Sequence, residues 1–499
     1  MTGTSVEGRA GPDEVAAAAQ LADAKTPRSP LRNKLFYGLG SIAFGVKDNG
    51  FTVLLMIFYN QALGVSAAAV GLAIMIALLV DAISDPIIGN FSDNLRTRFG
   101  RRHPLMYAAA FPIAISYFAL WNPPEGFDTD QLFWYLLGLS VVIRVCISLY
   151  EIPSSALVVD IAEDYDDRTN FLSYRYFFGW IGGLTMGVLG FSVFLRPSPE
   201  DPSGMLNLDG YMMYGLTASL VMFAAILISS LGTQPLVRNF RQPPPRQKLG
   251  ASHSIREIWR TLANRAFLTV AGATLFSYAA LGIEAAVLTY FRIYFWELTG
   301  DQIAFLLVGN FAAVFVGLFA APRFARAVGK KRAALWIWIA IIVVTPLLYW
   351  ARLLELLPPN GSAVLYWLLF ASSFVNTLLA IGIGVVGSSL LADVVEHTAA
   401  RTGRHAAGLI FSANAFLLKA TSGIGAFGAG MILALIEFPE GAKIGEVSQE
   451  VLTRLALIEP AIIVVLQAAA FSLILAYPIT KAMHAANLRK LAARAAEEK

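Results

Sequence analysis

Residues 154–168 read SSALVVDIAEDYDDR, and residues 387–401 read GSSLLADVVEHTAAR. Each stretch ends an apolar run with the pattern D-x-x-E-x-x-x-x-R. The members of the pattern are Asp160, Glu163 and Arg168 in the first copy and Asp393, Glu396 and Arg401 in the second. Two copies of the same pattern, one in each half of the chain, indicate an internal repeat.

Further pairs of stretches and residues keep the register of this repeat. They are FYNQALG (58–64) and IYFWELTG (293–300), FGRR (99–102) and VGKKR (328–332), Asp48 and Glu284, and Pro86 and Pro322. The repeat therefore extends over most of the chain.

Composition places the chain in a membrane. Of its 499 residues 57% are hydrophobic and 14% are charged, and the mean hydropathy is +0.61. A soluble protein carries about a quarter charged residues, and apolar runs of about 20 residues predict membrane-spanning helices. We predict twelve such helices, near 35–62, 66–92, 104–122, 131–159, 171–195, 210–232, 264–297, 302–325, 332–352, 362–392, 405–436 and 453–480.

A Pro-rich basic stretch divides these helices six and six. We predict a disordered cytoplasmic tail at 1–33, a six-helix bundle at 34–232, a cytoplasmic central loop at 233–262, a second bundle at 263–482 and a cytoplasmic tail at 483–499. The predicted fold class is an all-α membrane protein with two pseudo-symmetric halves. Parallel six-helix repeats are the architecture of major facilitator transporters.

Charge distribution predicts the orientation in the membrane. Lys and Arg cluster in the loops RTRFGRR and RFARAVGKKR, whereas acidic residues cluster in NPPEGFDTDQ and EFPEGAKIGEVSQE on the other side. The positive-inside rule then places both termini in the cytoplasm, and we expect a bacterial inner membrane protein. This rule also accounts for the net charge of +4, so we expect no nucleic-acid partner. We expect the lipid bilayer as a partner. We also expect a monomer.

Two carboxylates interrupt the second apolar run. In LLVDAISDPIIGNFSD (78–93), Asp81 and Asp85 lie one helical turn apart, and Gly317 and Ala321 take their places in the second repeat. Each carboxylate costs about 3 kcal/mol at the centre of a membrane helix, and the two repel each other. A Na⁺ ion or a shared proton relieves that repulsion. The alternative is that both are solvated at the end of the helix.

Other charged residues fall on the helices that line or close the central cavity of a major facilitator bundle. They are Lys47, Asp48, Arg144, Glu151, Arg175 and Lys419. Taken one at a time, each is also compatible with a snorkelling side chain or an internal ion pair. Together they favour a polar cavity that binds a ligand.

At these residues the chain resembles the glycoside–pentoside–hexuronide:cation symporter family, the melibiose permease-like branch of the major facilitator superfamily. The resemblance covers nearly all of 34–480. The blocks that carry it are KLFYGLGSIAFGVKDN (34–49), DAISDPIIGNFSDNLRTRFGRRHP (81–104), YEIPSSALVVDI (150–161), LSYRYFF (172–178), LADVVEHTAARTG (391–403) and FSANAFLLKATSG (411–423).

The resemblance implies roles for individual residues. The implied cation site consists of Asp81, Asp85, Glu151, Ser84 and Ser148. The implied substrate site consists of Lys47, Asp48, Glu151, Arg175, Asn414 and Lys419. The two D-x-x-E-x-x-x-x-R clusters, Asp160, Glu163 and Arg168 with Asp393, Glu396 and Arg401, would form ion pairs of a cytoplasmic gate that are made in one state and broken in the other.

Three positions depart from melibiose permease. Residue 151 is Glu instead of Asp, which could favour H⁺ over Na⁺, and Ser155 and Gly384 stand where that permease has Trp. An aromatic platform for a galactoside is therefore missing, although the cation residues are kept.

The predicted function is import of a small polyhydroxylated solute, a sugar or glycoside, driven by Na⁺ or H⁺. The alternative is a cation symporter of the same fold for a lysolipid or another amphiphile. We expect neither an enzyme nor a cofactor or resident metal, because H-E-x-x-H, G-x-S-x-G and Walker patterns are absent and the chain has one Cys.

Overall fold

The structure is a computed structural model, which describes residues 29–162, 165–198, 201, 203–239, 264–402, 407–479 and the single positions 483, 486, 487 and 489. In this part of the chain there are twelve helices long and apolar enough to cross a membrane, and no strands. They are α1 (Leu31–Ala62), α2 (Ala67–Asn94), α3 (His103–Leu120), α4 (Thr129–Ile161), α5 (Asp167–Phe194), α6 (Leu208–Leu236), α7 (Arg265–Phe295), α8 (Gly300–Val328), α9 (Lys330–Leu353), α10 (Ala363–Arg401), α11 (Ala407–Leu435) and α12 (Gln449–Leu475).

Helix number and order match the sequence prediction, and most ends agree within a few residues. The largest difference is α10, which continues to Arg401 instead of ending near 392. Asp393 is an interior helical residue there, and it is held by an ion pair with Lys330. The predicted end followed the loss of hydrophobicity, but a helix can continue past the apolar layer when its polar side chains find partners.

The helices alternate in direction, so their connections lie on two faces. The α2–α3 connection and the ends of α8 and α9 on either side of Gly329 carry the basic residues, and we name their side the basic face. The connections α3–α4, α7–α8 and α11–α12 carry the acidic residues, and we name their side the acidic face. Most of the predicted N-terminal tail and of the central loop lies outside the described residues.

At the acidic face the two halves close against each other through a hydrogen-bond network. The Tyr290 hydroxyl of α7 donates to Asn60 Oδ1 of α1 at 2.8 Å, and the Tyr294 hydroxyl lies 3.2 Å from Gln61 Oε1. The backbone N–H of Ala442, in the α11–α12 connection, donates to the same Gln61 oxygen at 3.0 Å. Asn60 and Gln61 are almost fully buried. Buried amides require such partners, so this network specifies a closed acidic face.

Helices α2 and α11 also meet at this face. A Cβ atom added to Gly430 would lie 2.2 Å from the backbone oxygen of Ala67, which is closer than atoms can approach. Only glycine therefore permits this contact between the halves.

We expect Gly430→Ala to open the acidic face, because the added methyl group forces the ends of α2 and α11 apart. A cysteine at Ala67, in a chain with Cys146→Ala, should react with a water-soluble thiol reagent several-fold faster in this variant. Gly408→Ala is the control, since a Cβ at this position of α11 meets nothing within 4 Å. Equal labelling rates in the two variants would show that the contact does not hold the face closed.

Toward the basic face the bundle is open at its centre. Between the halves, the side chain of Asp48 is 56% exposed, and the side chains of Lys419 and Glu151 are 34% and 30% exposed. Charged groups at mid-depth need water, and the acidic face is closed. The cavity that holds them is therefore reached from the basic face.

Candidate functional site

The aspartate pair lies at the middle of the bundle and faces α4. Asp81 stands at the midpoint of the 28-residue helix α2, about 21 Å from its start at 1.5 Å per residue. The Ser148 hydroxyl of α4 lies 2.8 Å from Asp81 Oδ1 and 2.7 Å from Asp85 Oδ1. The carboxylates therefore point into the protein, neither to lipid nor to the end of the helix.

Lys419 links this pair to the other half of the molecule. Its ammonium nitrogen lies 3.0 Å from Asp81 Oδ2 and forms an ion pair with Asp85 Oδ2. Lys419 belongs to α11 and the aspartates to α2, so this is an ion pair between the two halves. The structure thus places the lysine on the predicted cation site. Its predicted role in binding solute stays a prediction.

Arg144 was noted as an intramembrane charge, but the resemblance implied no role for it. It is 5% exposed, its Nη1 lies 3.5 Å from Asp81 Oδ2, and its guanidinium carbon lies 4.9 Å from the ring centre of Phe51. The helical spacing of Arg144, Ser148 and Glu151 puts all three on one face of α4, and this spacing was the available signal.

Glu151 and Arg175 form a second polar group beside the cavity. Arg175 Nη2 of α5 lies 3.7 Å from Glu151 Oε1, and its Nη1 donates to Ser154 Oγ at 3.1 Å. The guanidinium carbon also lies 5.9 Å from the ring centre of Tyr37. Glu151 was predicted to serve both ligands, and the structure pairs it with a predicted solute residue.

Lys47 and Asp48 pair with each other on α1. Lys47 Nζ lies 3.1 Å from Asp48 Oδ1 and 4.6 Å from the ring centre of Phe44. Lys47 is 3% exposed, whereas the side chain of Asp48 is largely exposed. The carboxylate of Asp48 is therefore the member of this pair that a solute in the cavity can reach.

Two further predicted residues take no part in these ion pairs. The Ser84 hydroxyl donates to the backbone oxygen of Asp81 at 3.1 Å. Asn414 lies near Thr274, with 3.5 Å between the side-chain oxygens. Asn414 also lines a cavity of about 60 Å³ inside the C-terminal half, together with Gly384 and Ser388. The roles assigned to Ser84 and Asn414 stay predictions.

The predicted gate residues pair within their own halves. Asp160 accepts hydrogen bonds at 2.6 Å from both Arg101 and Arg102, and Asp393 accepts one at 2.6 Å from Lys330. Within each half, basic residues that follow α2, or that begin α9, therefore hold the acidic end of α4 or α10. Burial lowers the pKa of Arg102, and Asp160 opposes that effect.

The remaining gate residues are only partly described. Arg168 Nε donates to the backbone oxygen of Ala162 at 2.8 Å, and Glu396 and Arg401 lie on the last turns of α10. Glu163 lies outside the described residues. Ion pairs that change between states, as predicted for the gate, stay a prediction.

Comparison with known proteins identifies the class. A family model described as MFS/sugar transport protein matches residues 36–481, so the chain belongs to this family of major facilitator transporters. The fold agrees, because the crystal structure of the nucleoside transporter NupG superimposes with a TM-score of 0.60 at 13% identity. That likeness covers 89% of this chain and 99% of the other.

Curated relatives carry transporter names. The chain is 24% identical to the putative glycoside/cation symporter YagG of Escherichia coli, over 92% of this chain and 95% of the relative. It is 25% identical to a putative 2,3-dihydroxypropane-1-sulfonate exporter of the same organism, over 95% and 98%. It is 22% identical to the isoprimeverose transporter of Lactiplantibacillus pentosus, over 81% and 80%. The protein is thus an integral membrane transporter of the sugar-type symporter family.

Proposed function

We propose that this protein is a cation-coupled symporter that imports a small polyhydroxylated solute, a sugar or glycoside, across a bacterial inner membrane. The observation that carries the proposal is the ion pair between the halves. Lys419 of α11 holds Asp81 and Asp85 of α2 at mid-depth in the bundle, at the deep end of the cavity. The coupling cation is Na⁺ or H⁺.

The ion pair gives coupling a physical form. An incoming cation that binds at Asp85 competes with Lys419 for the same carboxylate. When Lys419 loses this partner, the link between α2 and α11 weakens, and the two halves can move relative to each other. A cation that binds one conformation better than the other shifts the equilibrium between them by its differential affinity.

The solute would bind beside this site. Ser148 and Glu151 lie on one face of α4, so the helix that contacts the aspartates also carries the acid paired with Arg175. Occupancy of either site changes the charge that the other one experiences, and such coupling is reciprocal. Carboxylate and guanidinium groups offer the acceptors and donors that sugar hydroxyl groups require, in keeping with the glycoside and isoprimeverose relatives.

The orientation follows from the same proposal. We place the basic face in the cytoplasm, as the positive-inside rule requires. The closed acidic face then faces the outside, and the cavity is open inward. This is the state from which an imported solute leaves.

A transport screen tests the function. Purified protein in proteoliposomes is offered labelled pentosides, glycosides, hexuronides, sugar sulfonates and lysolipids, each under an imposed Na⁺ gradient, an imposed pH gradient or neither. We expect accumulation of a sugar-type solute under at least one gradient. Accumulation of lysolipid alone would support the amphiphile alternative, and equal uptake with and without gradients would contradict a symporter.

We expect Arg175→Ala to abolish uptake and to weaken solute binding at least tenfold, because a charged donor beside Glu151 is lost and hydrogen bonds to charged groups contribute about 1.5–3 kcal/mol. Binding is measured by isothermal titration with the solute that the screen identifies. Arg196→Ala, just beyond the acidic-face end of the same helix, is the control. Unchanged affinity in Arg175→Ala would restrict Arg175 to a structural role.

A further inference from the structure

The aspartate pair is surrounded by donors from the protein. Asp81 Oδ1 and Asp85 Oδ1 both lie within hydrogen-bond distance of the Ser148 hydroxyl, Asp85 Oδ2 pairs with Lys419, and Asp81 Oδ2 faces both Lys419 and Arg144. Each of the four carboxylate oxygens therefore lies next to a donor group. A metal cation that used these oxygens as ligands would have to displace the positively charged groups of Lys419 and Arg144 or share the oxygens with them.

The charges around the cavity also balance. Four acids each lie within 4 Å of a base, and the four bases lie on four different helices. The pairs are Lys47 with Asp48, Arg144 with Asp81, Lys419 with Asp85, and Arg175 with Glu151. Lys47 also attracts Asp81, and Asp48 and Asp85 attract Arg144. These four pairs together carry no net negative charge that would attract a metal cation.

The two bases that pair with Asp81 differ in their freedom to leave. Lys419 is on the opposite half and its side chain is one-third exposed, so it can move away into the cavity. Arg144 is on α4, is almost fully buried and lies over the ring of Phe51. A guanidinium group does not lose its proton in proteins. Asp81 therefore keeps a permanent positive neighbour.

We propose that Arg144 is a selectivity residue: it takes the place of a metal cation at Asp81 and excludes Na⁺ from the aspartate pair, so that the coupling ion is a proton. This inference rests on the proposed cation-coupled function. A Na⁺ ion at Asp81 would take the position of the mobile Lys419 ammonium group and would be repelled by the fixed guanidinium group of Arg144. A proton on the Asp85 carboxyl group needs no coordination shell.

Ser148 supports the same inference. Its hydroxyl group has one proton but lies 2.8 Å and 2.7 Å from two carboxylate oxygens. It can donate to only one of them, and the second short contact becomes a hydrogen bond when that carboxyl group is itself protonated and donates to Ser148 Oγ. The geometry thus fits a pair of carboxyl groups that holds one proton.

A test with purified protein needs no known solute. The melting temperature is measured in NaCl and in choline chloride at equal ionic strength, for the wild type, Arg144→Gln and Arg144→Lys. We expect no Na⁺ effect in the wild type or in Arg144→Lys, which keeps the charge. Arg144→Gln should gain a saturable stabilisation by Na⁺. A Na⁺-dependent shift in the wild type overturns the inference, even if the Gln variant fails to fold.

Transport separates this inference from the proposed function. Wild-type uptake should follow the pH gradient and stay unchanged when Na⁺ replaces choline, and Arg144→Gln should respond to Na⁺ at least several-fold. Uptake that follows a Na⁺ gradient in the wild type overturns the role of Arg144 but keeps the symporter. An Arg144→Gln protein that keeps pH-driven uptake without any Na⁺ response also overturns that role. Uptake that follows neither gradient contradicts the symporter itself.

Discussion

Asp85→Asn is expected to abolish gradient-driven accumulation of the solute while solute exchange across the membrane continues. The amide keeps the size of the carboxyl group and can still contact Ser148, but it has no negative charge. It therefore takes up no proton, holds a metal cation more weakly and forms no ion pair with Lys419. The variant should therefore lose the energetic link to the cation and keep the solute site at Arg175. We expect accumulation ratios to fall at least tenfold, toward the equilibrium value.

Two measurements in proteoliposomes check this expectation. Accumulation is measured under an imposed cation gradient, and exchange is measured with labelled solute on one side and unlabelled solute on the other. Asp93→Asn is the matched control, since Asp93 is an exposed acid on the same helix near the basic face. Gradient-dependent accumulation that persists in Asp85→Asn would show that the cation binds elsewhere.

Much of the fold was contained in the sequence pattern, because a membrane imposes simple rules. Each span must satisfy its own backbone hydrogen bonds, so long apolar runs can only be helices. The repeat of the D-x-x-E pattern and of the basic loops then indicated the two halves. The predicted end of α10 was wrong for a related physical reason. Hydrophobicity marks where the apolar layer ends, but the helix continues beyond it, where Asp393 forms an ion pair with Lys330.

The sequence predicted which residues form the candidate site but not how they pair. Asp81, Asp85 and Ser148 were predicted for the cation and Lys419 for the solute, and the structure brings these four side chains together. Their roles stay predictions. Which base faces which acid depends on how α11 packs on α2, where small residues such as Gly430 let the two helices approach. Such a contact between distant segments leaves no local pattern. The partner of the intramembrane Arg144 likewise became visible only in three dimensions.

The acidic-face network was also beyond the sequence. Asn60 and Gln61 stand in a stretch that only marks the internal repeat, and their partners Tyr290 and Tyr294 come from the other half. A closed face is a property of one conformation. A sequence must specify every conformation of a transport cycle, so it does not say which one is the more stable.

Removal of the lysine between the halves is expected to have an effect as large as that of Asp85→Asn but of a different kind. In Lys419→Ala, Asp81 keeps Arg144 as its partner, whereas Asp85 loses its ion-pair partner. Breaking a buried ion pair costs about 3–5 kcal/mol, and we expect less here because the lysine side chain is one-third exposed. Uptake should fall at least tenfold.

A conformational change at the acidic face would distinguish a link between the two halves from a purely local effect of the lysine charge. Without Lys419, α2 and α11 lose their connection at mid-depth, and the cysteine placed at Ala67 should change its labelling rate even though it lies at the far end of α2 from the basic face. A charge exchange, Asp85→Lys combined with Lys419→Asp, restores one ion pair between the halves and should recover part of the labelling pattern but not cation-driven uptake. Recovery of uptake by this exchange would mean that the pair serves only as a structural link, and that neither side chain is the group that the cation binds.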